Sequence, residues 1–245
     1  DFCIARNVVA HTPNPNDIFK GVNNLLKYNG IFIIEVPHLE NIYKDNQYDN
    51  IFHEHQGFHS LKSINDLCKK NGLMLSNVEE ISSQGGSIRC EIKNKKNKTV
   101  IKVKKFLNKE MKNKLFNTKY LRSFKHRILK HNKALFNFID KLKQKNMKIS
   151  VYGASGKGQA LMQFCGIDYN LIDKVYDKSN LKKGKFTPGT NIKIDLPKYI
   201  NRKKIDYMLL LSWNIKSEIL KQETSFLKKG GKLITPFPKQ KVIQI

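Results

Sequence analysis

Residues 149–158 read Ile-Ser-Val-Tyr-Gly-Ala-Ser-Gly-Lys-Gly, and this run sets the architecture of the C-terminal half of the chain. Four residues of strand character lead into a glycine-rich turn, and a helix is predicted to follow from Gln159 to Cys165. A further helix is predicted over residues 215–228. Three more apolar strands are predicted at 172–176, 207–212 and 232–235. Strands that alternate with helices indicate a doubly wound α/β domain over residues 148–245.

The N-terminal half contains a second run of the same kind, Ile31-Phe-Ile-Ile-Glu-Val36. Residues 2–9 predict another buried strand, and a helix whose N-cap is Asn16 or Asp17 connects the two. A strand, a short helix and a continuous apolar strand in this order are typical of a parallel sheet that is covered on both faces. The remaining predicted elements are a helix from Leu61 to Asn71, capped by Ser60 or Ser63, and an antiparallel pair of strands at 73–78 and 86–92.

The net charge of +26 is unevenly distributed along the chain. Residues 91–150 hold 20 Lys and Arg against three acids. Apolar residues at helical spacing over 106–146 predict one or two long connecting helices with lysines on their outer face. Only five residues of the chain are Arg, whereas bidentate reading of phosphate or guanine favours Arg over Lys. A role as a basic nucleic-acid-binding protein is therefore the least favoured function.

Composition and cysteine usage predict a globular cytoplasmic protein. Apolar residues make up 40% of the chain, and no apolar run is long enough to span a membrane. No secretory signal pattern precedes the first strand. The four cysteines, Cys3, Cys68, Cys90 and Cys165, form no C-x-x-C pair. This spacing fits reduced thiols better than a disulfide framework or a zinc site.

Residues 51–60, Ile-Phe-His-Glu-His-Gln-Gly-Phe-His-Ser, carry the chemistry of the N-terminal half. Imidazole is the side chain that most readily exchanges protons near neutral pH, so this segment predicts acid–base work. A metal site is less favoured, because only His59 could join His53 and His55 as a ligand. His11 belongs to the candidate site, because it follows the first strand at the edge where doubly wound sheets bind ligands. His38 follows the second predicted strand at the same edge, or is simply solvated. His126 and His131 lie in the lysine-rich helical region and are interpreted as surface residues.

The glycine turn at 153–158 has the spacing G-x-x-G-x-G and matches neither the usual dinucleotide fingerprint nor a Walker A loop. Backbone N–H groups at a helix N-terminus, with Lys157 beside them, suit a phosphate. A tight turn in which the glycines serve packing remains an equal alternative.

Nine short blocks occur in one order along nearly the whole chain: Ala5–His11, Gly30–Pro37, Ile51–His55, Gly85–Arg89, Tyr152–Gly158, Asp177–Ser179, Thr187–Thr190, Leu211–Asn214 and Pro236–Pro238. Together they resemble the S-adenosylmethionine-dependent nucleotide-sugar C-methyltransferases, which methylate a carbon of a nucleotide-linked keto-deoxysugar. The resemblance implies an enzyme of this kind, with S-adenosylmethionine as cofactor and a keto-sugar linked to a thymidine-type nucleotide as substrate.

The resemblance also implies an α/β fold: the latter part of a class I methyltransferase sheet, which is Rossmann-like, followed by a second Rossmann-like domain, the two joined by long helices. The corresponding domains are a partial methyltransferase domain over 1–96, a helical connector over 97–147 and a C-terminal C-methyltransferase domain over 148–245. The family's zinc-binding N-terminal domain and the first strands of its methyltransferase sheet have no counterpart here. Zinc is accordingly not expected in this chain, and the chain alone is expected to hold the cofactor poorly.

In the family's chemistry a base removes the proton beside a ketone, and the enolate carbon then attacks the methyl group on sulfonium. By resemblance, His55 is the base, Glu54 orients or polarises it, and His11 stabilises the enolate oxygen or relays a proton. Ala10 and His11 are the implied cofactor contacts. Phe52 and His53 are implied substrate contacts, and Phe52 stands where the family often has Tyr.

The remaining substrate-binding candidates lie in the C-terminal half. They are Gly153, Ser155, Gly156, Lys157 and Gly158 for contact with the pyrophosphate or with a neighbouring domain face, Asp177 and Lys178 at the next strand end, and Trp213 and Asn214 at the end of a very apolar strand. For Trp213, simple packing is an equal alternative. The leading alternative to an enzyme is a non-catalytic fragment that binds a nucleotide sugar.

Overall fold

A computed structural model describes residues 1–94, 100–113, 115–200 and 204–245. The chain divides into two compact units. Unit 1 consists of Asp1–Lys44 and His53–Phe124, and unit 2 consists of Asp45–Phe52 and Lys125–Ile245. Residues 97–99 and 114 of the predicted connector lie outside the described residues, and the domain boundaries proposed from the sequence stay predictions.

Unit 1 is built on a four-stranded mixed sheet. Its strands are β1 (Phe2–Arg6), β2 (Ile31–Pro37), β3 (Leu73–Ile81) and β4 (Ser87–Asn94). They lie in the order β1-β2-β4-β3, with β1 parallel to β2 and the other neighbours antiparallel. The antiparallel pair predicted from the sequence is therefore confirmed.

Helices α1 (Pro15–Leu25), α2 (Leu39–Lys44), α3 (Leu61–Lys70) and α4 (Ile101–Lys112) belong to unit 1, and α5 (Thr118–Gln144) begins in it. The predicted N-cap of α1 was wrong: the cap is Asn14, because Pro15 occupies the first helical position, where its missing N–H has no cost. The cap of α3 was predicted correctly, since the Ser60 side chain accepts the N–H of Ser63 while the Ser63 hydroxyl accepts that of Ser60.

The hydrophobic core of unit 1 covers one face of the sheet, where side chains such as Phe32 and Ile34 pack against α1, α3 and α4. The prediction that β1 is a fully buried strand was wrong. Phe2 is 67% exposed and Ile4 is 70% exposed, because β1 is the edge strand and these side chains point to the other face. The strand also ends at Arg6, and a short 3-10 turn at Val9–His11 follows it.

Unit 2 contains a six-stranded sheet, β5 (Ile149–Tyr152), β6 (Lys174–Tyr176), β7 (Ile194–Asp195), β8 (Tyr207–Leu210), β9 (Lys232–Thr235) and β10 (Lys241–Ile243). The strand order is β10-β9-β8-β5-β6-β7, and every pair is parallel except β10 with β9. The helices are α6 (Gly156–Cys165), α7 (Lys216–Gln222) and α8 (Thr224–Lys228). The single helix predicted over 215–228 is thus two helices, with the buried Glu223 between them.

The parallel sheet of unit 2 has a switch point beside its central strand. From β5 the chain moves to β6 and β7 on one side and then returns to β8 on the other. Doubly wound sheets bind ligands beyond the carboxyl ends of the strands at such a point. The glycine turn after β5 and the Ser212-Trp213 segment after β8 both lie there. Among the described residues, no helix has the length and apolar character that a membrane span requires.

Candidate functional site

Unit 1 brings together two of the predicted catalytic residues, His11 and His55. Their ring centroids are 4.9 Å apart and the rings meet edge to face at 69°. His11 is exposed and His55 is half-buried. The His55 ring also lies near Phe58, with the ring centroids 6.2 Å apart. Two adjacent imidazoles that solvent can reach are able to accept, hold and pass a proton.

The backbone of the histidine segment fixes this pair. The carbonyl oxygen of Ala10 accepts the N–H groups of both Gln56 (2.8 Å) and Gly57 (3.1 Å). Ala10 and His11 lie in the short turn after β1, so the segment is bound beside the carboxyl end of that strand. These hydrogen bonds join residues 46 and 47 positions apart in sequence through backbone atoms, which every residue type carries. No sequence pattern therefore predicts them.

His53 and Glu54 in the histidine segment face solvent. The side chain of His53 is 87% exposed and that of Glu54 is 56% exposed. The Glu54 carboxylate lies 3.9 Å from Nε2 of His53, so its contact is with the preceding histidine, and its predicted role toward His55 stays a prediction. Phe52 is half-buried, and it belongs to unit 2, whereas the chain from His53 onward belongs to unit 1.

The glycine turn of unit 2 packs closely on the end of β8. Gly153 has a positive φ of 98°, and a Cβ there would overlap the hydroxyl of Ser212. A Cβ on Gly158 would lie 2.7 Å from Cβ of Leu211. The Ser155 side chain caps α6 by accepting the N–H of Gly158 at 3.2 Å, and Gly156 is exposed at the start of that helix. Packing therefore accounts for Gly153 and Gly158, while the exposed helix start keeps the geometry that suits an anion.

Asp177 and Lys178, at the end of β6, are both engaged by protein groups. The Asp177 carboxylate accepts the N–H of Ala154 (2.7 Å) and that of Ser179 (2.9 Å), and Lys182 donates to it at 3.2 Å. Burial raises the pKa of Asp177, but these donors outweigh it and the net pKa is lowered. Lys178 is exposed and pairs with Glu218 at 3.2 Å. Asp177 thus ties the glycine turn to the neighbouring strand end.

Asp49 is a buried residue that the sequence analysis missed. The indole Nε1–H of Trp213 donates to Asp49 Oδ2 at 2.8 Å, and Nζ of Lys157 lies 3.9 Å from the same oxygen. Lys157 Nζ also lies 5.5 Å from the centre of the Trp213 ring. Burial raises the pKa of Asp49, and Lys157 opposes this. Burial likewise lowers the pKa of Lys157, and Asp49 opposes this.

These contacts give Trp213 and Lys157, two of the predicted substrate-binding residues, partners within the protein. Trp213 packs at 9% exposure and is also a hydrogen-bond donor, while Asn214 beside it is exposed. The ammonium group of Lys157 is turned toward a carboxylate inside unit 2. Asp49 stands in a polar stretch without periodicity, and only its position three residues before Phe52 could have drawn attention to it.

The alternative that His38 is simply solvated was wrong, and His131 is not a plain surface residue. His38 is fully buried, and its Nε2 donates to Glu110 Oε1 at 2.8 Å. His131 is half-buried and bonds through Nε2 to the carbonyl oxygen of Pro236 at 2.7 Å. His126 is exposed, as expected. Glu110 is itself fully buried, and one signal was available: it follows Val103 by seven positions, on the apolar stripe of α4.

Two family models match the chain one after the other. A family model described as "Methyltransferase domain" matches residues 1–78, and one described as "C-methyltransferase C-terminal domain" matches residues 82–238. The chain is 33% identical over 240 residues to C-methyltransferase NovU of Streptomyces niveus. That alignment covers 97% of this chain and 57% of the relative's length.

The second model spans more than half of the chain. The chain therefore belongs to the C-methyltransferase family, and the resemblance read from the sequence is confirmed. The α/β fold expected from that resemblance is confirmed as well.

Proposed function

We propose that this chain carries the proton-transfer site and the nucleotide-sugar domain of an enzyme that methylates a carbon beside the ketone of a nucleotide-linked keto-deoxysugar. Family membership supports methyl transfer in general. The observation that carries the finer proposal is the contact between the His11 and His55 rings, 4.9 Å apart at the end of β1.

Carbon methylation beside a ketone first requires the loss of a proton from that carbon. His55 is the proposed base, because its ring is half-buried and lies close to both His11 and Phe58. His11 is exposed next to it, and it stabilises the enolate oxygen or carries the proton to solvent. A positioned general base contributes about 10² to 10⁴-fold to such a step. Glu54 remains the candidate that orients this pair.

The family implies S-adenosylmethionine as the methyl donor, which would supply an electrophilic methyl group. Of the two predicted contacts with it, Ala10 is 3% exposed and its carbonyl oxygen already accepts two N–H groups. His11 is thus the one that remains available. These two residues do not form a pocket for a sulfonium nucleoside by themselves, so the proposal concerns what the chain does to the sugar.

The glycine turn supports binding of the sugar's nucleotide part, for which a thymidine nucleotide is the proposed type. It lies at the switch point of unit 2, and the exposed Gly156 opens α6 there. Asp177 holds this turn through the N–H of Ala154. The arrangement is therefore preformed, which lowers the entropic cost of binding.

The first prediction tests the base. In D₂O the whole protein should exchange the hydrogen beside the ketone of a thymidine-linked keto-sugar, and His55→Gln should lower that rate by about 10² to 10⁴-fold. Nuclear magnetic resonance of the sugar measures the exchange. His126→Gln is the matched control, because His126 is an exposed histidine on α5.

Two results bear on the proposal in different ways. Exchange that persists at the wild-type rate in His55→Gln shows that another group is the base. Tight binding of the nucleotide sugar with no exchange in the wild-type protein supports the alternative, a binding fragment without catalysis. Calorimetric titration with the nucleotide sugar separates that case from a failure to bind.

A further inference from the structure

Glu110 connects helix α4 to the start of helix α3. Its carboxylate accepts the N–H of Leu61 through Oε1 at 2.6 Å and the N–H of Lys62 through Oε2 at 2.9 Å. Leu61 and Lys62 are the first two residues of α3. The first N–H groups of a helix have no partner within the helix, and a negative charge there is favourable. Glu110 therefore provides, from another helix, acceptors for the N–H groups of Leu61 and Lys62, while the local N-cap Ser60 serves Ser63.

The same carboxylate holds His38, which follows β2. Nε2 of His38 lies 2.8 Å from Glu110 Oε1, and because a carboxylate can only accept, this ring nitrogen is assigned the proton. The N–H of His38 donates to Gly86 at 3.1 Å, and His38 forms an isolated parallel bridge with His59. The side chains of His38 and Glu110 are 1% and 0% exposed. A buried carboxylate is costly unless it is fully hydrogen-bonded, and three donors meet that requirement here.

The segment from His55 to His59 is therefore bound at both ends. At one end the Ala10 carbonyl accepts the N–H groups of Gln56 and Gly57. At the other end the His59 carbonyl accepts the N–H of Leu39 at 2.9 Å, and α3 begins immediately afterwards. The His59 ring also lies under Gly57, where an added Cβ would be 3.2 Å from Nε2 of His59.

We infer that Glu110 is a positioning residue for the reaction proposed above. It touches no reacting atom. It acts by fixing the first turn of α3 and the neighbouring His38, and these fix the end of the segment that presents the His55 ring to His11. This inference rests on the proposed function. A displacement of a catalytic group by about 1 Å can cost about 10²-fold in rate, so the effect is measurable even in a folded variant.

The second prediction uses Glu110→Gln, which keeps the shape but replaces one accepting oxygen by an amide that donates. An amide nitrogen in place of Oε2 leaves the N–H of Lys62 without its acceptor, and one in place of Oε1 leaves both the N–H of Leu61 and the ring N–H of His38 without theirs. We expect the maximal rate of hydrogen exchange to fall by about 10 to 100-fold while KM for the nucleotide sugar stays within about twofold. The pH profile of the exchange should shift with it.

Lys109→Gln is the matched control, since Lys109 precedes Glu110 on α4 and forms an exposed pair with Glu80. It should leave the rate and the pH profile unchanged. If Glu110→Gln does not fold, His38→Leu removes one donor and leaves both helix N–H contacts, and a fall of about 10-fold is then expected. His38→Gln, whose amide can still donate, should recover most of that loss.

The outcomes separate the two proposals. Wild-type protein that binds the sugar without exchanging its hydrogen overturns the proposed function. The positioning role is overturned if the wild type exchanges the hydrogen and Glu110→Gln or His38→Leu, although folded and lower in melting temperature, exchanges it at the wild-type rate per folded molecule. That result leaves the proposed function intact.

Discussion

At the residue scale, unit 2 contains a chain of hydrogen bonds that links Cys165, Tyr48, His131 and the Pro236 carbonyl. The Pro236 carbonyl can only accept, so Nε2 of His131 carries a proton and its Nδ1 accepts from the Tyr48 hydroxyl at 3.0 Å. The Tyr48 oxygen in turn lies 3.3 Å from Sγ of Cys165. Burial raises the pKa of the Cys165 thiol to about 11 and raises that of Tyr48 further. Both groups therefore keep their protons at neutral pH, and the chain runs from thiol to hydroxyl to imidazole.

The third prediction concerns the effect of acid on this chain. Burial lowers the pKa of His131 below its usual value of 6.5, although the Pro236 carbonyl opposes the shift. Above the usual value both the folded and the unfolded forms are neutral. Below it the unfolded form takes up a proton that the folded form resists, so stability falls as the pH drops. His131→Gln cannot titrate, and its melting temperature should fall less than that of the wild type between pH 7.5 and 5.5.

Asn132→Ala provides the control for this experiment. Asn132 follows His131 on α5 and donates to the Phe164 carbonyl at 2.7 Å, so its loss removes a hydrogen bond without removing a titrating group. It should lower the melting temperature equally at the two pH values. His59 also has a pKa lowered by burial, so some acid sensitivity should remain in His131→Gln. Equal pH dependence in the wild type and His131→Gln would contradict the account.

At the scale of elements, the close packing of α6 on β8 gives the fourth prediction. A Cβ on Gly158 meets Leu211 at 2.7 Å, so Gly158→Ala should destabilise the protein by about 1 to 3 kcal/mol. The affinity for a thymidine nucleotide should fall with it, because the helix start is displaced. Gly21→Ala is the matched control: Gly21 lies in α1 with no atom within 4 Å of an added Cβ. It should stabilise by up to about 1 kcal/mol.

Urea unfolding measures the free energy of unfolding of both variants. Gly158→Ala with wild-type stability and wild-type affinity would show that α6 can shift away from β8 without consequence.

The sequence predicted those elements whose own residues determine them. The apolar runs at 149–152 and 232–235 matched β5 and β9 at both ends, because a buried parallel strand needs apolar side chains on both faces. It missed β7, a two-residue strand, and β10, an edge strand with exposed and half-buried side chains. The break at Glu223 between α7 and α8 was also missed, since a buried glutamate inside a helical pattern carries no local signal.

The candidate site was predictable to a similar extent. The histidine segment and His11 were found from residue type and position after a strand. Their contact depends on the Ala10 carbonyl, which has no sequence signature. Glu110 and Asp49 were missed, because a single acid among lysines or in a polar stretch is usually solvated.

At the scale of the whole molecule, the net charge of +26 leads to the fifth prediction. Lysines at 102, 104, 105 and 112 on α4 are exposed, and they favour any polyanion without selecting among sequences. The affinity for a short DNA duplex should fall by about 10³-fold or more between 50 and 200 mM salt. The fall should be the same for unrelated sequences, and fluorescence anisotropy measures it. A duplex that is bound about 10³-fold more tightly than its scrambled counterpart at 150 mM salt would restore nucleic-acid recognition as a function.

The eight residues Asp45–Phe52 belong to unit 2 although the chain on either side of them belongs to unit 1. They bring Tyr48 to His131 and Asp49 to Trp213. A gene fragment that starts at Lys125 would therefore encode most of unit 2 without the tyrosine and the carboxylate that those partners require. Any attempt to express the two halves separately has to supply this octapeptide to the second half, as a fused or added peptide.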